Sequence, residues 1–162
     1  MATPADTAVL LDVMCGGLTS ILRMVGYDTA YALDRGVEAD DAVRNIATSE
    51  GRVLVTRDEA LAAATPEAVL LHEKETDDQL AELADHGFAL TLTEPVRCSA
   101  CNGRVEAVPG DASTPEYAPD PAEKQCWRCR ECGRVYWIGS HWEDVVARLR
   151  RVRDAAGANG EE

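Results

Sequence analysis

A chain of 162 residues can bury one hydrophobic core and carry beside it a small module that metal or disulfides must hold together. Twenty-nine acidic against sixteen basic residues give a formal net charge of −13, and only Lys74 and Lys124 among the basic residues are lysines. Such a surface suits concentrated salt and argues against attraction of nucleic acid by net charge alone. No apolar run approaches the roughly 20 residues of a membrane span. The opening "MATPADTAVLLDVMCGG" lacks the basic start and cleavage site of a signal peptide. The expectation is a cytoplasmic protein with reduced thiols and no membrane contact.

Taken in order, "AVLLDV" (8–13) reads as a buried parallel strand, and "GGLTSILRMVGY" as a helix ended by Gly26. "DTAYAL" is a weak second strand, and "EADDAVRNIATSEG" a helix with an acidic first turn. "RVLVT" (52–56) is the clearest strand. After it come a short helix at "DEALAAA", a strand at "EAVLLH", a helix at "TDDQLAELADHG" and a last strand at "FALTL" (88–92). Strands alternating with helices of this length imply a parallel sheet covered on both faces. The periodicity fails beyond Glu94-Pro95, and "PGDASTPEYAPDP" (109–121) reads as a loop. A helix capped by Ser140 and a frayed end at "GANGEE" close the chain. The organisation expected is an α/β domain over 1–94, a cysteine module over 95–139, and a terminal helix and tail over 140–162.

Five of the six cysteines fall in "CSACNGR" (98–104) and "CWRCRECGRVYWIGSHW" (126–142). A zinc knuckle is a tight turn whose second cysteine precedes a residue tolerating positive φ. Cys98-x-x-Cys101 is followed by Asn102-Gly103 and Cys129-x-x-Cys132 by Gly133, whereas Cys126-x-x-Cys129 is followed by Arg130. This selects Cys98, Cys101, Cys129 and Cys132 for one structural Zn²⁺ in a zinc ribbon, and leaves Cys126 free. An iron–sulfur run and disulfides fit less well: the first lacks its nearby fourth cysteine, the second an export signal.

A closed tetrathiolate site leaves no open coordination position, so chemistry is sought elsewhere. Sites in parallel sheets form at the C-terminal strand ends. There the sequence places Asp12, Asp40 with Asp41, Asp58, and Asp77 with Asp78. Each of the helix-opening acids has a cap as its bland reading. Asp12, set between apolar residues, requires a metal or a hydrogen-bond donor. Thr56 is placed to orient the Asp58 carboxylate. Carboxylates converging on one edge would hold Mg²⁺ or Mn²⁺ for phosphodiester hydrolysis.

These motifs resemble the Mut-seven C-terminal ribonuclease domain family, a PIN-like nuclease fold with an appended zinc ribbon. The resemblance spans residues 8 to about 150. It rests on "LLDVMCGGLTSILRMVGYDT", on Asp40, Ala47, Arg52, Leu54 and "TRD" (56–58), on "DQLAEL", and above all on "RCSACNGR" with "CWRCRECGRVYWIGSHW". It implies a three-layer PIN-like domain followed by the tetracysteine ribbon and a C-terminal helix, with metal ligands at Asp12, Asp40 and Asp58. Asp77 is a candidate fourth ligand. Gly17 and Ser20 stand where basic residues are usual in the first helix, Ile21 where a Trp is usual, and Cys15 where a Leu is usual.

The function expected is a metal-dependent ribonuclease acting on single-stranded RNA. The alternative is a non-catalytic RNA-binding or adaptor protein on the same fold. Tyr136, Trp137, His141 and Trp142 can stack on bases, but packing of the ribbon and last helix onto the α/β domain accounts for them better. The arginines at 128, 130, 134 and 148–153 form the only basic region, and either an RNA footprint or simple charge balance explains them.

Overall fold

A computed structural model describes residues 2–160. Strands β1 (Ala8–Leu11), β2 (Asp28–Tyr31), β3 (Arg52–Thr56) and β4 (Ala68–Leu70) form a parallel sheet in the order β2-β1-β3-β4. Side-chain alternation splits each strand between two cores, as a pleated strand requires. Val9, Leu11, Val55 and Val69 face one side, where they meet α1 (Thr19–Val25), α4 (Thr76–Asp85) and α5 (Ser140–Gly160). Leu10, Ala30 and Leu54 face the other, against Val43 and Ala47 of α2 (Asp40–Ser49) and Leu61 of α3 (Glu59–Ala64). The result is the expected three-layer α/β sandwich.

Helix α5 contributes Val145, Leu149 and Val152 to the same core as β1. It is therefore part of the α/β layer structure although it follows the cysteine module in sequence. The helix runs through Gly160, past the expected start of fraying at 157, and Glu161 and Glu162 lie outside the described residues.

Two elements differ from the sequence reading. The first helix does not start at Gly16: a 3-10 segment, Val13–Leu18, comes first, with a non-helical Cys15. Tyr31 explains the break, because its hydroxyl donates to Val13 O at 2.8 Å and fills the space a Cβ on Gly16 would need. Nor does "FALTL" add a strand to the sheet. Phe88 makes only an isolated parallel bridge with Ala2, and Tyr27 Oη bonds both Ala2 O and Ala89 O at 2.8 Å. Its apolar pattern reflects burial of Phe88 and Leu90 in the core, not pairing with the sheet.

The cysteine module is a three-stranded antiparallel sheet in the order β5 (Val105–Ala107), β6 (Cys126–Cys129), β7 (Val135–Trp137). Its central strand, "CWRC", was not among the sequence expectations. The module docks on β2, an edge strand of the parallel sheet. Buried Arg23 donates to Thr29 O at 3.0 Å and reaches Ser99 O and Ala100 O at 3.1 and 3.3 Å. Asn102 accepts from Thr29 N at 2.9 Å and donates to Asp28 at 2.7 Å, giving the exposed edge a partner. No helix among the described residues is long and apolar enough to cross a membrane.

Candidate active site and metal centre

The strand order reverses between β1 and β3: β2 lies beyond one and β4 beyond the other. That switch point leaves a crevice at the C-terminal strand ends, where open α/β sheets bind ligands. Asp12 follows β1 there, and Asp58 follows β3 by two residues. Asp12 Oδ1 accepts Val13 N at 2.9 Å, and its Oδ2 accepts Thr56 Oγ1 at 2.7 Å. The donors required for a half-buried carboxylate are thus present. Thr56 does not orient the Asp58 carboxylate; its hydroxyl oxygen accepts the Asp58 backbone N–H at 3.0 Å. The Asp58 carboxylate caps α3, accepting Leu61 N at 3.1 Å. One buried hydroxyl therefore ties the two acidic positions together.

Asp40 opens α2 after the 3-10 turn Leu33–Arg35 that follows β2, and Asp77 lies in the first turn of α4, which follows β4. Neither is a side-chain cap: the cap positions are Ala39 and Glu75, with no side-chain hydrogen bond. Asp40 is exposed, as is Asp41, which pairs with Arg44 at 3.2 Å. Asp77 is engaged by Arg148 of α5. Among the described residues, no three carboxylates bring ligand oxygens within 4.8 Å of one another.

The loop after β4 is pinned from α4. Glu82 accepts the backbone N–H groups of His72 at 2.9 Å and Glu73 at 2.8 Å, and buried Gln79 donates to Glu73 O at 3.0 Å. The sequence signal for this pair is no more than their spacing in "QLAEL", one helical turn apart on one face of α4. Burial pushes the Cys15 thiol up to about 12, with Asp12 adding to the effect and Arg57 opposing it.

The four cysteines selected by knuckle geometry come together. The Sγ atoms of Cys98, Cys101, Cys129 and Cys132 all lie within 4.8 Å of one another. Asn102 and Gly133 adopt φ of 73° and 80°, the left-handed turns a knuckle needs after its second cysteine. Backbone N–H groups of Glu131 and Cys132 approach Cys129 Sγ at 3.4 and 3.5 Å. Cys126 lies apart, buried, with its thiol donating towards Lys124 O at 3.4 Å.

Burial would raise the Cys98 thiol, but hydrogen bonds from Tyr136 Oη and knuckle N–H groups hold it down at about 7. Cys101, by contrast, is pushed up to about 12 by burial and its crowded neighbours. Four thiols this close cannot all ionise without a cation among them, so the donor set fits a metal ion such as zinc.

A layered parallel α/β domain with carboxylates at its switch point, joined at its edge strand to a tetracysteine module, defines a two-part protein class. The sequence profile described as the Mut7-C RNAse domain matches residues 7–149, and the chain belongs to that family. Membership points to a ribonuclease role with RNA as substrate. No curated protein and no solved structure matches the chain.

Proposed function

We propose that the chain is a metal-dependent ribonuclease that hydrolyses phosphodiester bonds at the β1–β3 switch point. The observation that carries this reading is the Asp12 carboxylate, fixed by Thr56 across the crevice in a chain of the RNAse-domain family. Mg²⁺ retains several waters and commonly uses only one or two protein carboxylates plus substrate phosphate. Asp12 and Asp58 meet that requirement, with Asp40 and Asp77 as further ligands. Asp77 would exchange Arg148 for the ion. When bound, Mg²⁺ or Mn²⁺ polarises the phosphate and lowers the pKa of a coordinated water. The chain's own contribution is positioning: Thr56 holds Asp12 and the Asp58 backbone, while Gln79 and Glu82 keep the loop after β4 in place.

The substrate is single-stranded RNA. A groove between the α/β domain and the module is lined by Tyr117, Tyr136, Trp137, His141 and Trp142 with Arg97 and Arg134, a combination suited to unstacked bases and phosphates. Packing accounts for part of this set, since Trp142 is buried and Tyr136 bonds Cys98. The four cysteines hold structural Zn²⁺, and a reducing, cytoplasmic compartment keeps them available as ligands.

The spacing of the carboxylates supports a second reading, an RNA-binding adaptor without catalysis. Purified protein incubated with single-stranded RNA and Mn²⁺ in high salt separates the two. The ribonuclease cleaves, and Asp12→Asn abolishes cleavage. An adaptor binds without cleaving under any divalent ion.

A further inference from the structure

Among the described residues, Arg57 Nε is the only buried side-chain nitrogen or oxygen with no hydrogen-bond partner. Two other arginines of the fold are matched. Arg23 reaches three carbonyls, and Arg52 pairs with both Asp28 and Glu50. Arg57 makes no ion pair among the described residues, in a chain of net charge −13. Leaving a buried N–H unmatched forfeits its hydration with nothing in return.

Position suggests what the missing partner is. Arg57 lies between Thr56 and Asp58, and it lines an open polar pocket with Asp58, Glu59 and His72 at the ends of β3 and β4. Its chain neighbour Thr56 bonds Asp12 across the switch point, so Arg57 leaves β3 at the same strand end. A guanidinium offers a planar fork of donors matched to two oxygens of a phosphate. The flanking carboxylates repel a bare anion, which selects an anion that arrives with a divalent cation.

We infer that Arg57 is the phosphate-contacting cation of the crevice, binding non-bridging oxygens of an RNA phosphodiester beside Asp12 and Asp58. This rests on the ribonuclease reading for its location, but its test does not require turnover. The probe is a fluorescently labelled single-stranded oligoribonucleotide, titrated by anisotropy over a salt series in Ca²⁺ and in EDTA. The proteins are the wild type, Arg57→Gln and Arg57→Lys.

Arg57→Gln should weaken binding in Ca²⁺ on the order of tenfold to a hundredfold, as expected for loss of a charged hydrogen bond, and lower the salt slope by about one phosphate contact. Arg57→Lys should keep the slope while losing part of the affinity, because it retains charge but not the fork. The thermal midpoint of Arg57→Gln should stay level or rise, since the change removes no ion pair and takes away one unmatched buried N–H. Unchanged affinity and slope in Arg57→Gln overturn the inference, as does a fall in thermal midpoint with RNA binding intact. If Arg57 governs binding but Mn²⁺ supports no cleavage, the phosphate site stands and the ribonuclease reading fails. If cleavage proceeds in Arg57→Gln with unaltered binding, the reverse holds.

Discussion

Thr56 Oγ1 donates to Asp12 Oδ2 at 2.7 Å, linking the ends of two paired strands at the switch point of the sheet. The threonine is fully buried, so its hydroxyl has no water to turn to. It fixes one rotamer of the carboxylate and leaves the other oxygen to Val13 N. In the proposed metal-dependent reading, an outer contact of this kind orients the Asp12 ligand.

Thr56→Val should therefore lower ribonuclease activity by about 10–100-fold, the range for loss of an outer-shell partner. Asp12→Asn should remove activity altogether. Valine keeps the β-branched shape, so the sheet should survive, which circular dichroism checks. Activity at the wild-type level in Thr56→Val would show that Asp12 needs no such support.

Much of this arrangement was legible in the sequence. The parallel sheet followed from apolar runs alternating with amphipathic helices, and the cysteine grouping from Asn102 and Gly133 after the two chosen pairs. Partnerships across space were not legible. Nothing in "RVLVTRD" says that Thr56 turns its hydroxyl to Asp12 rather than to Asp58, because β1–β3 pairing decides it. The apolar "FALTL" reads equally as strand or as buried coil. Its pairing with Ala2 depends on the start of the chain, about ninety residues away in sequence.

The module's attachment to β2 yields a pH dependence. Burial would raise the Asp28 carboxyl, but hydrogen bonds from Asn102 and Arg52 lower it below its ordinary 3.8. A folded-state pKa below the unfolded value contributes stability above about pH 4, and that contribution is lost as pH falls through the folded value. Asp28→Asn should lower the urea midpoint at pH 7 and narrow the difference between pH 7 and pH 3. An unchanged difference would place the acid sensitivity elsewhere.

Asn102→Gly tests the same junction from the module side. Glycine keeps the left-handed turn at φ 73° but leaves Thr29 N and Asp28 without the Asn102 side chain. The expected loss is about 1–3 kcal/mol, the cost of an unsatisfied buried donor. Urea unfolding of the intact chain measures it, and a loss near zero would show water taking over both bonds.

The basic tail divides into two kinds of arginine. Arg148 holds Asp77 and Arg153 reaches Leu90 O, whereas Arg150 and Arg151 are exposed and make no ion pair among the described residues. Neutralising Arg150 and Arg151 with glutamine should weaken RNA binding and flatten its salt dependence by about 0.7 per lost single-strand phosphate contact. Arg153→Gln should instead lower thermal stability. If the double variant binds RNA unchanged at every salt concentration, these charges only balance an acidic surface.

Metal content tests the register of the second knuckle. Cys129 belongs to two overlapping C-x-x-C pairs, and the structure groups it with Cys132 while Cys126 packs with Val108 and Val135. Cys126→Ser should retain one equivalent of zinc by elemental analysis, and Cys132→Ser should lose it. Removing the metal leaves four crowded thiols without a cation, in a module whose buried apolar cluster is small. Binding free energy there is largely folding free energy, so chelation should unfold β5–β7. The parallel sheet has its own two clusters and should keep its near-native helical signal, although exposure of the β2 edge will lower its melting temperature. Thiolate ligands must shed protons to bind, so zinc affinity should fall as pH drops below neutrality. Loss of zinc from Cys126→Ser with retention in Cys132→Ser would move the register by three residues, away from the glycine that makes the turn.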